Sequence, residues 1–206
     1  MERFSRLFAV AIAIEFAISG AAPAADPRFP DWPCVQAKVP EISVAAVWAG
    51  PPLDEAEKAW ANDPRVRDLV ARLAPRRTPI DDATRTIADF VVGDAREREQ
   101  KGTLLFAGLF ERLNRERTEI MNGIDRLALR QKELAEKIRS DISELYKLQD
   151  TANPNEARLR EISNQAEWST RIFEERRRTT RYVCEVPALI EQRLFALGRA
   201  VQEAME

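Results

Sequence analysis

From Thr103 to Gln149 the chain runs without a proline and carries one long apolar repeat. With Thr103 as the first a position, the d positions read Phe106, Leu113, Ile120, Leu127, Leu134, Asp141 and Leu148. The a positions add Phe110, Ile124, Ile138 and Leu145, interrupted by the polar Arg117 and Gln131. Apolar residues recurring every 3.5 residues over several heptads form a coiled-coil seam, and a seam has to be covered by another helix. A helix over this stretch extends roughly 70 Å at 1.5 Å per residue. A chain built on it reaches or holds; it does not wrap a small substrate.

The covering helix is predicted from the sequence that follows. Residues 150–154, Asp150-Thr151-Ala152-Asn153-Pro154, read as a turn, with Asn153 as N-cap, Pro154 in the first helical position and Glu156 completing a capping-box-like start. A returning helix then carries Leu159, Ile162, Ala166, Phe173 and Thr180, and continues through Val183, Ile190, Leu194, Leu197 and Val201, with a kink or break expected at Pro187. Facing residues in such a hairpin add to roughly 303, because both arms rise equally per residue. Phe110 is then expected near Leu194, and Cys184 near Glu119. The near-equal arms, about 103–149 and 154–204, favour an antiparallel hairpin over a parallel dimer.

The hairpin is broadly apolar only at its base. Leu104, Leu105, Phe106, Leu109, Phe110 and Leu113 face Leu189, Ile190, Leu194, Phe195 and Leu197 there. A stripe that wide needs further partners, and residues 53–100 supply them as two or three short helices. Asp54 and Glu55 after Pro52 suit a helix start. Asp63-Pro64 reads as a cap with proline in the first turn, ahead of Val66, Leu69, Val70 and Leu73. Pro75 and Pro79 end that segment, Asp81 or Asp82 opens a third with Ile87, Phe90 and Val91 on its inner side, and Gly93 or Gly102 leads into the long helix. The expected class is all-α: a bundle head with a long antiparallel two-helix arm over residues 53–206.

Prolines at 27, 30, 33, 40, 51 and 52 deny residues 26–52 a long helix. We read them as an extended strap anchored by Phe29, Trp32 and Trp48, with residues 42–48 as a short strand or a turn of helix. Three aromatics and a cysteine argue against disorder. Ahead of the strap, residues 1–25 read as a secretory signal. Arg3 and Arg6 precede a short apolar run, Leu7 to Ile14, and Ala22-Pro23-Ala24 offers a small-x-small cleavage pattern. An uncleaved membrane anchor is the alternative, although the apolar run falls well short of the ~20 residues a span needs. Export, to a periplasm, makes the two cysteines a disulfide pair, Cys34 with Cys184. No Cys-x-x-Cys motif supports a redox role instead.

Composition excludes more than it assigns. The formal net charge of −2 provides no field toward nucleic acid. Absence of histidine removes Ser-His-Asp and Cys-His nucleophile systems, and the glycines form no phosphate-cradling loop. No cofactor motif or metal-ligand spacing is present, and adjacent acids such as Asp81/Asp82 serve as helix-start residues. A non-catalytic protein is expected. One surface feature stands out: Trp168 and Ile172 lie four residues apart, away from the stripe of the returning helix. Exposed, they form a protein-binding patch; covered by a third helix or second subunit, they are structural. Arg171, Arg176, Arg177, Arg178 and Arg181 surround them. Interleaved Glu174, Glu175 and Glu185 make a solvated face of (i, i+4) pairs the simpler account, ahead of an acidic partner or a membrane surface. The reading is an exported scaffold or adaptor that meets a protein partner, or itself, through the arm. The alternative is a module holding an apolar ligand or lipid between Phe106, Phe110, Leu194 and the Trp48/Trp60 region.

Overall fold

The computed structural model describes residues 26–206, so the expected signal or anchor segment lies outside the described residues. Five α-helices follow the strap: α1 (Asp54–Ala59), α2 (Pro64–Leu73), α3 (Ile80–Phe90), α4 (Ala95–Gln149) and α5 (Glu156–Met205). The described residues contain no strand, and the short-strand option for residues 42–48 resolves into a 3₁₀ turn at Val44–Ala46. No described helix is long and apolar enough to cross a membrane.

Two long helices pack against each other as the antiparallel hairpin. Arg98 Nε donates to the Met205 carbonyl at 3.2 Å, Gln131 Nε2 to the Phe173 carbonyl at 2.9 Å, and Arg158 pairs with Glu144 at 2.9 Å. The residue numbers of each pair add to within one of the expected figure, so the register is the predicted one from base to tip. Val183 shares a shallow hollow with Glu119, Ile120 and Gly123, which sets the Cys184 region beside Glu119 as expected.

The boundaries move where local capping overrides the pattern. Helix α4 starts eight residues before the predicted start, because Asp94 accepts from the Glu97 N–H at 2.9 Å while Glu97 reaches back to the Asp94 N–H. That capping box carries the helix through Gly102, where a Cβ would meet Met205 at 2.4 Å. Gly93, the residue before the cap, holds φ +127° and makes the turn into it. Asn155, not Asn153, caps α5: its side-chain oxygen accepts from Ala157 and Arg158, both at 3.1 Å, and Pro154 falls outside the helix. Pro187 does not break α5. It is buried in a helix assigned without interruption, flanked by residues committed to packing. Helix α3 begins at Ile80, with Asp81 and Asp82 in its first turn instead of at its opening. The Asp63-Pro64 start of α2 is as predicted, Asp63 accepting from Arg65 at 2.8 Å and from Val66 at 3.3 Å.

The head is the expected bundle. Val66, Leu69, Val70 and Leu73 of α2 and Ala83 and Ile87 of α3 close over Leu105, Phe106, Leu109 and Leu113 of α4 and Ile190, Leu194, Leu197 and Val201 of α5. Arg193 ties α5 to the end of α2, its guanidinium donating to the Leu73 carbonyl at 2.6 and 3.1 Å. Burial lowers the pKa of that guanidinium from its ordinary value. Leu189 and Phe195, expected in this core, are instead exposed, because the short helices cover only one flank of α5.

The strap runs antiparallel to α4 and acts as a third ridge beside the hairpin. Asp31 pairs with Lys132 at 3.0 Å, Lys38 with Asp125 at 2.8 Å, and Trp48 stacks on Phe106 with centroids 4.2 Å apart. Lys38 Nζ also sits 4.6 Å from the Phe29 ring centroid. Cys34 and Cys184 form the predicted disulfide, with Cα atoms 5.5 Å apart across 150 residues of chain. The coverage shows on α4: Met121 and Ala128, one position past the d residues, are buried, while Ile120 and Leu127 are only half-buried.

Arg117 explains the first polar break in the heptads. Only 2% exposed, it donates to Glu191 at 2.6 Å, to the Val39 carbonyl at 2.6 Å and to the Pro40 carbonyl at 3.1 Å. One side chain joins α4, α5 and the strap. Gln131, the second break, bonds across the hairpin through its amide nitrogen, while its buried Oε1 finds no protein partner.

Candidate functional site on the arm

The candidate site lies on α5, beyond the reach of the head helices. Ile162, Ala166 and Ser169 are buried toward α4, and Phe173 is half-buried. A helix with that face committed presents Trp168 elsewhere, and Trp168 is 62% exposed. Ile172, one turn on, is half-buried. Both line an open groove of about 780 Å³ that runs along α5 and also takes in Arg171 and Arg178, with Ile142 and Leu145 from α4.

The structure therefore brings together four of the six predicted partner-binding residues: Trp168, Ile172, Arg171 and Arg178. It separates the other two. Arg176 is exposed but does not line the groove, and Arg177 lines a second hollow beside the Cys34–Cys184 disulfide. Ile142 was missed. Its signal was present, as an apolar side chain one position past the d residue Asp141.

All five arginines of the cluster are exposed, as expected of a solvated face, but the expected (i, i+4) pairing is absent among the described residues. Arg177 pairs with Glu174 at 3.2 Å, three residues away instead of four. Among the described residues, Arg171, Arg176, Arg178 and Arg181 form no ion pair within 4.0 Å. Intrahelical pairing satisfies one arginine of five.

The head offers a contrast. Phe106 and Leu194 are fully buried, and Trp48 lies against Phe106 with ring planes 7° from parallel. A Cβ on Gly108 would come within 2.7 Å of both Trp60 and Val70, and one on Gly198 within 2.6 Å of the Val47 carbonyl. The region proposed for an apolar ligand is filled by the chain's own side chains. Among the described residues, no group of three or more Cys, Asp or Glu side chains is placed to hold a metal ion.

Fold and site define an all-α protein with a packed helical head and an arm that presents an exposed tryptophan. No family model, curated protein or solved structure matches the chain at a significant level.

Proposed function

We propose that this chain is an exported, non-catalytic scaffold or adaptor that binds a protein partner through the hairpin arm. The observation that carries the reading is the exposed Trp168, set in an open groove with Ile172, Arg171 and Arg178 on a helix whose opposite face is committed to α4. Tryptophan and arginine on a rigid element are the side chains that dominate protein–protein contacts. The disulfide between strap and arm suits an oxidising compartment.

The test is a photoreactive residue at position 168 in living cells, with position 137 as control. Lys137 is exposed and bonds only along its own helix, to Asp141. An adduct at 168 alone supports the reading. Adducts at neither position, or equally at both, count against it.

A further inference from the structure

The exposed surface of α5 extends beyond the groove. Tyr182 is 71% exposed and Leu189 is 42% exposed. Counting from Trp168 in steps of seven gives Glu175, Tyr182 and Leu189, so these residues form one row along the helix. Arg171, Arg178 and Glu185 form the adjacent row, three residues on in each heptad. The buried side chains Ile162, Ser169, Thr180, Cys184 and Pro187 belong to the other side, against α4 and the strap. Helix α5 thus carries two stripes at heptad spacing. The hairpin uses one, and the other is open over the length of the arm.

We propose that the outer stripe of α5 pairs with the same stripe of a second copy, antiparallel, about a twofold axis between residues 176 and 177. This rests on the reading of the arm as a protein-binding surface and names its occupant. A heptad row is the pattern another helix reads, and the charges select the direction. In a parallel, in-register pair, Arg171, Glu175, Arg178 and Glu185 would each meet their own copies, four like-charge contacts. In the antiparallel pair, Arg178 faces the second copy's Glu175, Arg171 faces the second copy's Tyr182 and Trp168 faces the second copy's Glu185, each contact made twice by symmetry. The first is an ion pair between two side chains that lack one in the single chain, and the second sets a guanidinium against an aromatic ring. Such self-complementarity is what a twofold interface requires. The heads then stand at opposite ends of the dimer, roughly 55–60 Å apart at 1.5 Å per residue.

Sedimentation equilibrium of the oxidised chain, purified from a host that exports it, tests the pairing. The wild-type chain is expected to show a monomer–dimer equilibrium. Glu175→Arg alone and Arg178→Glu alone are each expected to weaken the dimer by about tenfold, because one change alters two symmetric contacts. The doubly exchanged E175R/R178E chain is expected to recover to within about threefold of wild type. Circular dichroism, unchanged in all three, checks that the hairpin is intact. A monomer at every concentration, a dimer indifferent to these changes, or a loss that the double exchange does not restore overturns the proposal. If the chain is monomeric and the residue-168 photoprobe captures a different, identified protein, the second copy is excluded and the arm reading survives. If the chain is monomeric and the probe captures nothing, both fall.

Discussion

Arg117 is the residue at which α4, α5 and the strap meet. Its guanidinium is buried against two strap carbonyls, and its one ionic partner among the described residues, Glu191, remains 42% exposed. Arg117→Met keeps the aliphatic volume and leaves the Val39 and Pro40 carbonyls without their donor. Loss of these charge-assisted bonds is expected to cost roughly 2–4 kcal/mol, read as a lower denaturant midpoint. Glu191→Gln is expected to cost less than about 1 kcal/mol, since solvent screens that partner. Trp168→Glu provides the opposite case. It removes an exposed side chain from the site, so stability should stay within about 0.5 kcal/mol while capture by a photoreactive residue placed instead at the neighbouring groove position 171 is lost. Equal loss of stability and of capture would make Trp168 a structural residue. Gly108→Ala is expected to cost roughly 1–3 kcal/mol through overpacking against Trp60 and Val70. At this scale the sequence showed which positions break the seam. It did not show that one break is a buried clasp, because the strap carbonyls that receive Arg117 arrive from some 77 residues away.

Among the elements, the strap is the one whose docking depends on a covalent bond. Ion pairs Asp31–Lys132 and Lys38–Asp125 hold it along the arm, but the first is largely exposed and contributes little. The Cys34–Cys184 bond closes a loop of 150 residues, and removing it with C34S/C184S should cost up to about 5 kcal/mol in the chain-entropy model. The local consequence is more specific. Hydrogen exchange should speed up at the bonded amides of Phe29 and Trp32 in the serine variant, while that of Val47, next to the Trp48 that stacks on Phe106 in the head, keeps its protection. Uniform acceleration through the head would show that the bond sustains the whole fold, not only the strap. The Asn155 cap is a second element-scale test. Asn155→Ala removes two acceptor contacts at the start of α5 and should cost about 1 kcal/mol, confined to exchange at the hairpin tip.

For the whole molecule, the division between head and arm sets both stability and function. The head buries side chains from five helices and the strap, whereas in the arm beyond Ala128 the buried side chains are few, Ile162, Ala166 and Ser169 of α5, and those facing them on α4 are at most half-buried. Opening of the tip is therefore expected at a lower free energy than global unfolding, with amides near Leu145 and Leu159 exchanging before those near Leu109 and Leu194. What the sequence determined by itself was everything carried by local periodicity and spacing. The all-α class, the hairpin and its register, the Asp63-Pro64 start and the placement of Trp168 off the hairpin stripe all follow from residues a few positions apart, whereas the exposure of Trp168 was decided by what the head helices and the strap leave uncovered. The pairing of Cys34 with Cys184 followed from there being only two cysteines. Only the tertiary structure decided the rest. It placed Leu189 and Phe195 outside the core, kept α5 continuous through Pro187, left four arginines without intrahelical partners, and turned Arg117 from an interruption into a clasp. The physical reason is the same in each case: burial and pairing depend on which surfaces the head helices and the strap reach, and that is set by packing across the chain, not by the order of residues along it.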